Sequence, residues 1–167
     1  MMHPWKPLAL VAFALLQPAR AHAQGATMQV SVQVQQPLTV IKDRDLDLGR
    51  TFPNSTRAVQ PTDPKAGAFA LAGAPDAEVT INFTLPAYLT SGPDQLPIAF
   101  GPGAAGFNRA NAPAGTTPFN PASPLTTRLD AGTGRLWVFV GGAVTPTSQP
   151  PGTYTGTITL NAAFTGN

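Results

Sequence analysis

Asp43-Arg44-Asp45-Leu46-Asp47 sets acidic side chains at alternate positions, a spacing from which calcium loops draw carboxylate oxygens. An EF-hand loop started here would need Gly at its sixth place and Glu at its twelfth, where this chain has Leu48 and Asn54. With Lys42, Arg44 and Arg50 around them, the three acids read instead as the wet face of a strand. The other acids are Asp63, Asp76, Glu78, Asp94 and Asp130. Carboxylate pairs hydrolyse glycosides, but Asp94 follows Gly92-Pro93 and Asp130 opens Asp130-Ala131-Gly132-Thr133-Gly134, places where Asp serves turns. Gly101-Pro102-Gly103 lacks the lysine and the strand-to-helix setting of a phosphate loop. Asn54-Ser55-Thr56 and Asn82-Phe83-Thr84 match a glycosylation acceptor, and Asn82 falls within a strand pattern. Trp137, Phe139 and Tyr154 fall on alternating runs, which makes them core before it makes them a sugar platform. No catalytic, cofactor-binding or metal-ligating residue is assigned.

Composition narrows the chemistry further. The chain has 167 residues, no Cys and two His, and both His lie near its start. Lys6 supplies a positive charge, Leu8 to Leu16 form an apolar run too short for a bilayer, and Ala21-His22-Ala23 fits small-x-small cleavage. Residues 1–23 therefore read as an export signal, cut between Ala23 and Gln24. His3, His22, Lys6 and Arg20 leave with it, and the remainder has neither His nor Cys and balanced charge. Soft-metal sites, Ser-His-Asp triads and Cys nucleophiles are excluded, and nothing favours a grip on nucleic acid phosphates. No later run is long enough to cross a membrane. Without disulfides, 24–167 must hold as a single domain on its core alone.

The elements that position these residues are strands. All 16 Gly and most of the 19 Pro lie after residue 23, and no window sustains a helical period. Short alternating runs between turns predict an all-β sandwich or barrel. Met28, Val30, Val32 and Val34 share one face of the first run. Leu38–Ile41, Asp43–Gly49, Ala68–Ala72 and Glu78–Leu85 follow, with Leu96–Phe100 weaker. Leu125–Leu129 and Arg135–Val140 read as a hairpin across Asp130–Gly134. In the last run Tyr154, Ile158, Leu160, Ala162 and Phe164 face inward, and Thr153, Thr155, Thr157 and Thr159 face out. Pro53–Lys65 reads as a surface loop. The Gly/Ala/Pro-rich 101–124 stretch reads either as a long flexible insertion carrying a binding surface or as a solvated connection hiding one edge strand.

Several segments resemble a family. Leu46-Asp47-Leu48-Gly49 is similar to the LxFG strand of bacterial pilin-like secreted domains. Phe69-Ala70-Leu71-Ala72-Gly73 with Val79–Pro86 resembles their F-x-V-x-G and V-x-I-x-L-P pair. Val140-Gly141-Gly142-Ala143-Val144 and Pro151–Thr157 resemble their closing segment. The chain looks like the bacterial domain-of-unknown-function 4402 family, itself similar to spore-coat-U-type and chaperone–usher pilins. It departs in lacking the cysteine pair common in spore-coat-U pilins and in the length of 101–124.

The resemblance implies an immunoglobulin-like, pilin- or adhesin-like β-sandwich without catalysis. It implies a secreted structural subunit at the cell surface or in a fimbrium, delivered through the periplasm by a chaperone and an outer-membrane usher. Such subunits associate with themselves or sister pilins by strand donation. An extended segment supplies ladder hydrogen bonds and alternate apolar side chains to a neighbour's open edge. Met28, Val30, Val32 and Val34 are the candidate donor strand, and the same run reads equally as the domain's own first strand. The alternative is a monomeric secreted binding module, for carbohydrate or a surface ligand, using 101–124.

Overall fold

A computed structural model describes residues 26–32, 34 and 36–165. The proposed signal and its cleavage point at Ala23 and Gln24 lie outside the described residues. The chain divides into one unit reaching Gln33 and a second starting at Val34. In the first, the described residues 26–32 belong to no strand.

The second unit is all-β, with twelve strands among the described residues. They are β1 (Thr39–Arg44), β2 (Arg57–Val59), β3 (Gly67–Ala72), β4 (Glu78–Thr84), β5 (Tyr88–Ser91), β6 (Asp94–Ala99), β7 (Ala105–Asn108), β8 (Thr117–Phe119), β9 (Leu125–Arg128), β10 (Arg135–Val140), β11 (Gly142–Val144) and β12 (Thr159–Phe164). Every ladder is antiparallel. A five-stranded sheet runs β1-β3-β10-β7-β8, a three-stranded sheet β12-β4-β9, and a four-stranded sheet β2-β11-β6-β5.

The first two sheets face each other as a sandwich. Leu71 of β3 and Leu136 and Val138 of β10 meet Val79 and Ile81 of β4, Leu129 and Leu160 in one buried cluster. Phe69, Phe83, Phe107 and Phe119 pack around it, with ring centroids 6.2–6.3 Å apart along the chain of contacts. Strand alternation explains the pattern: residues two apart share a face. The opposite face of β10 carries Trp137 and Phe139, which pack with Val59, Ala66, Ala68, Leu46 and Leu48 in a second cluster. An unbroken Leu-Trp-Val-Phe-Val run is what a strand buried on both faces requires. Phe139 is fully buried and Trp137 half-buried, so these aromatics serve the core. Of the three aromatics the sequence assigned inward, only Tyr154 lies outside both clusters.

Several sequence expectations need correction. Asp43–Gly49 is strand only as far as Arg44, at the end of β1, and Pro53–Lys65, read as a surface loop, contains β2 with Val59 buried. Leu125–Leu129 and Arg135–Val140 do not form a hairpin. β9 pairs with β4, and β10 pairs with β3 and β7 in the facing sheet. The intervening turn is tight nonetheless: Asp130 N–H donates to Arg135 O at 3.0 Å and Gly134 N–H donates to Asp130 O at 2.8 Å. Gly134 has φ +64°, and a Cβ there would lie 2.1 Å from Gly73 O, so only glycine lets the chain cross between sheets. The 101–124 stretch is not a long loop: it holds the one edge strand that the second reading allowed, and an interior strand besides. Ala105–Asn108 pairs along β10 in the interior of the five-stranded sheet, and Thr117–Phe119 forms its edge. Ala-Gly-Phe-Asn has little strand propensity of its own, and the demand of β10 for a second partner overrides it. The remaining loop, 109–116, is drawn in by the Asn108 side-chain amide, which donates to Ala112 O at 2.9 Å and Ala114 O at 3.3 Å.

Candidate functional site

The acids singled out from the sequence do not converge. Asp45 pairs with Lys42 at 2.9 Å and Asp47 with Lys65 at 3.4 Å, all exposed. The Gly49 N–H donates to Asp47 Oδ1, and with the Lys65 ammonium it holds the Asp47 carboxyl below the usual carboxylate range. Asp76 and Glu78 face Arg128, the latter at 4.0 Å. Asp130 Oδ1 accepts bonds from the Thr133 hydroxyl and from the Thr133 and Gly132 N–H groups, which lowers its pKa and closes the turn. Asp94 contributes, after desolvation, to raising the Tyr154 phenol, whose O–H donates to Pro150 O at 2.8 Å. Asp45, Asp47, Asp76, Glu78 and Asp130 therefore act in turns or surface pairs. Among the described residues, no group of three His, Cys, Asp or Glu side chains could hold a metal ion. Among the described residues, no helix is long and apolar enough to cross a membrane.

The candidate site is the segment that carries the four apolar side chains. Met28, Val30, Val32 and Val34 are exposed to 86–89%, although their spacing of two places all four on one face when extended. Pro37 follows, and lacks the N–H that would continue a ladder. Ordered strand structure begins at Thr39.

In the body of the fold, each of the three sheets ends in two edge strands among the described residues: β1 and β8, β12 and β9, β2 and β5. β12 pairs only with β4, and β1 pairs only with β3. They meet at one end, where Leu38 and Phe164 close over Gly73: a Cβ on Gly73 would lie 3.3 and 3.0 Å from their terminal carbons. Inward-pointing Val40, Ala162 and Phe164 are only half-buried, as are Phe69 of β3 and Phe83 of β4 in the same core. The edge of β1 is broken by a register shift between Lys42 and Arg44. A bulge of this kind bends a strand away from its neighbour and ends regular pairing.

Periodicity alone assigned the apolar faces of both segments. It missed the edges, because a strand's sequence does not say whether one or two neighbours flank it. It also missed Phe52, exposed to 76% within the loop that brings Arg57 and Lys65 together beside Gly49. The signal there is an aromatic in an otherwise polar stretch. No protein-family model matches this chain, and no curated protein matches it.

Proposed function

We propose that this protein is a non-catalytic, exported structural subunit with an immunoglobulin-like, pilin-type sandwich, which associates by donating Met28–Val34 to a neighbour. The observation that carries the reading is the exposure of four apolar side chains at alternate positions outside any strand. Their spacing is that of a strand waiting for a sheet. The neighbour's edge best suited is that of β12 beside β1, where ladder groups and half-buried apolar side chains coincide. Backbone groups supply register and affinity, and alternate side chains supply fit. Burying each of the four contributes roughly 1.5–3 kcal/mol, enough together to outweigh the ordering of the segment. The partners are a second copy of this chain or a sister subunit. A periplasmic chaperone and an outer-membrane usher deliver it to the cell surface or a fimbrium.

The test compares the exported chain with a version lacking residues 28–35, by size-exclusion chromatography and by SDS gels run with and without heating. A heat-sensitive ladder from the full chain that vanishes with the deletion supports strand donation. A full chain that runs as a clean monomer overturns it. Function would then pass to a monomeric secreted module, with 109–116 as the remaining loop of the stretch first assigned to ligand binding.

A further inference from the structure

The loop from Gly49 to Lys65 displays an aromatic side chain beside converging cations. Phe52 is 76% exposed, yet its turn is tied down on several sides. Ser55 N–H donates to Phe52 O at 3.1 Å, Asn54 N–H to Pro146 O at 2.7 Å, and the Thr51 hydroxyl to Ser55 O at 3.0 Å. The Thr56 and Thr145 hydroxyls bond across at 2.9 Å. Asn54, at φ +61°, fixes the tip in the left-handed region. The backbone that carries Phe52 is therefore held, and its ring stays in water.

Three residues back along the chain, Gly49 turns with φ +71° between two cations. A Cβ there would lie 3.6 Å from Lys65 Nζ and 3.9 Å from Arg57 Nη2. Arg57 spends only its Nε–H on protein, donating to Leu48 O at 3.0 Å. Arg57 lines an open cleft of about 450 Å³ together with Asp63, Pro64 and Lys65. Asp63 Oδ2 is occupied by the Gln60 N–H at 2.8 Å, and Asp47 holds Lys65 at 3.4 Å. With Arg50, the loop carries three cations against those two acids. Three Cα steps of about 3.8 Å bound the separation of Phe52 from Gly49, which keeps the aromatic and the cations in one region of the fold.

We propose that this loop docks on a membrane surface rich in anionic phosphate headgroups, with Phe52 entering the headgroup–acyl boundary and Arg57 and Lys65 binding lipid phosphates. A projecting aromatic needs a soft, apolar medium to enter, and flanking cations need phosphates in the same plane; a bilayer interface supplies both. A guanidinium with a free outer edge binds a phosphate through two parallel hydrogen bonds. The net excess of one charge makes the attachment weak and reversible, suited to holding a subunit near a membrane while it waits for a partner.

The test is sedimentation of the full chain with vesicles of phosphatidylcholine alone and of phosphatidylcholine and phosphatidylglycerol in equal parts, with and without added salt. Co-sedimentation with the anionic vesicles only, weakened by salt, is expected. Phe52→Ser should weaken it roughly tenfold, from the apolar area no longer buried. Arg57→Gln and Lys65→Gln should each weaken it roughly fivefold, the effect of one surface charge. All three are exposed, and an unchanged circular dichroism spectrum checks that each variant folds. The deletion of residues 28–35 should bind vesicles as well as the full chain does. Equal binding to both vesicle types, unaltered binding by the variants, or binding to soluble heparin without binding to vesicles would each overturn the proposal.

Discussion

Met28–Val34 and Ile158–Phe164 both place apolar side chains at every second position, with Ala163 the one apolar residue on the other face, and they meet opposite fates. In the later run Leu160 is 7% exposed, and β12 follows β4 in register from Thr159↔Thr84 to Phe164↔Val79. In the earlier run the four apolar residues stand open to water. A period of two states that a segment is able to lie on a pleated, half-buried surface. It does not say whose surface, because the pairing partner is set by chain connectivity and by edges elsewhere. The closing run has β4 from the same chain. The described residues of the opening run join no strand ladder, and its four apolar side chains stay exposed.

Substitutions separate the two fates. The largest loss of folding stability is expected where the pattern is already used. Ile81→Ala, in the buried cluster and beside β12 in its sheet, should cost about 2–5 kcal/mol, read as a drop in the urea midpoint at constant slope. An unchanged midpoint would deny that this cluster is the core. The double variant Val30→Asp, Val32→Asp should shift the folding midpoint by no more than about 0.5 kcal/mol, as exposed sites do. It should nonetheless abolish the heat-sensitive ladder. A large loss of stability would mean that the opening run belongs to its own sandwich, and the comparison would collapse.

Smaller effects sharpen the picture at the crossing between sheets. Gly134→Ala forces a side chain against Gly73 O at positive φ and should cost about 1–3 kcal/mol in thermal unfolding. The mildest change is expected from pH. Asp130 titrates below its ordinary value in the folded chain, chiefly through the Thr133 hydroxyl and then the Thr133 and Gly132 N–H groups. Its stabilisation is therefore fully present above the unfolded carboxyl value and is lost as pH falls through the lower, folded one. Asp130→Asn should flatten that acid-side decline in a pH series of thermal melts. An identical pH profile in the variant would remove Asp130 from the account.

How much of this was legible in the sequence depends on whether a residue's fate is local. The inward faces of β3, β4 and β12 were readable because Phe69, Leu71, Val79, Ile81, Leu160 and Phe164 obey a local alternation. The Asp130 turn was readable because Asp, Gly and Thr perform their bonding within a few residues. The partners of β9 and β10 were not, since a tight turn serves a hairpin and a crossing between sheets equally well. β7 was illegible for the opposite reason: Ala105 to Asn108 takes strand form only because β10 lies alongside. The open edges of β1 and β12, on which the proposed strand donation would depend, are properties of the assembled sheets. No stretch of sequence spells them.

Val140, Gly141 and Gly142 carry one further consequence. β10 lies inside the five-stranded sheet and β11 inside the four-stranded one, and the chain passes from one to the other through Gly141, whose N–H donates to Ala104 O at 2.7 Å. A Cβ at Gly141 would strike Val59 O, so the passage is sealed against β2 as well. A single backbone thus threads the middle of two sheets without a loop to absorb slack. Under tension, neither sheet can yield by itself: shearing β10 drags β11 with it, and the load spreads over the ladders of both. Pulled in a single-molecule experiment, the domain should rupture in one event.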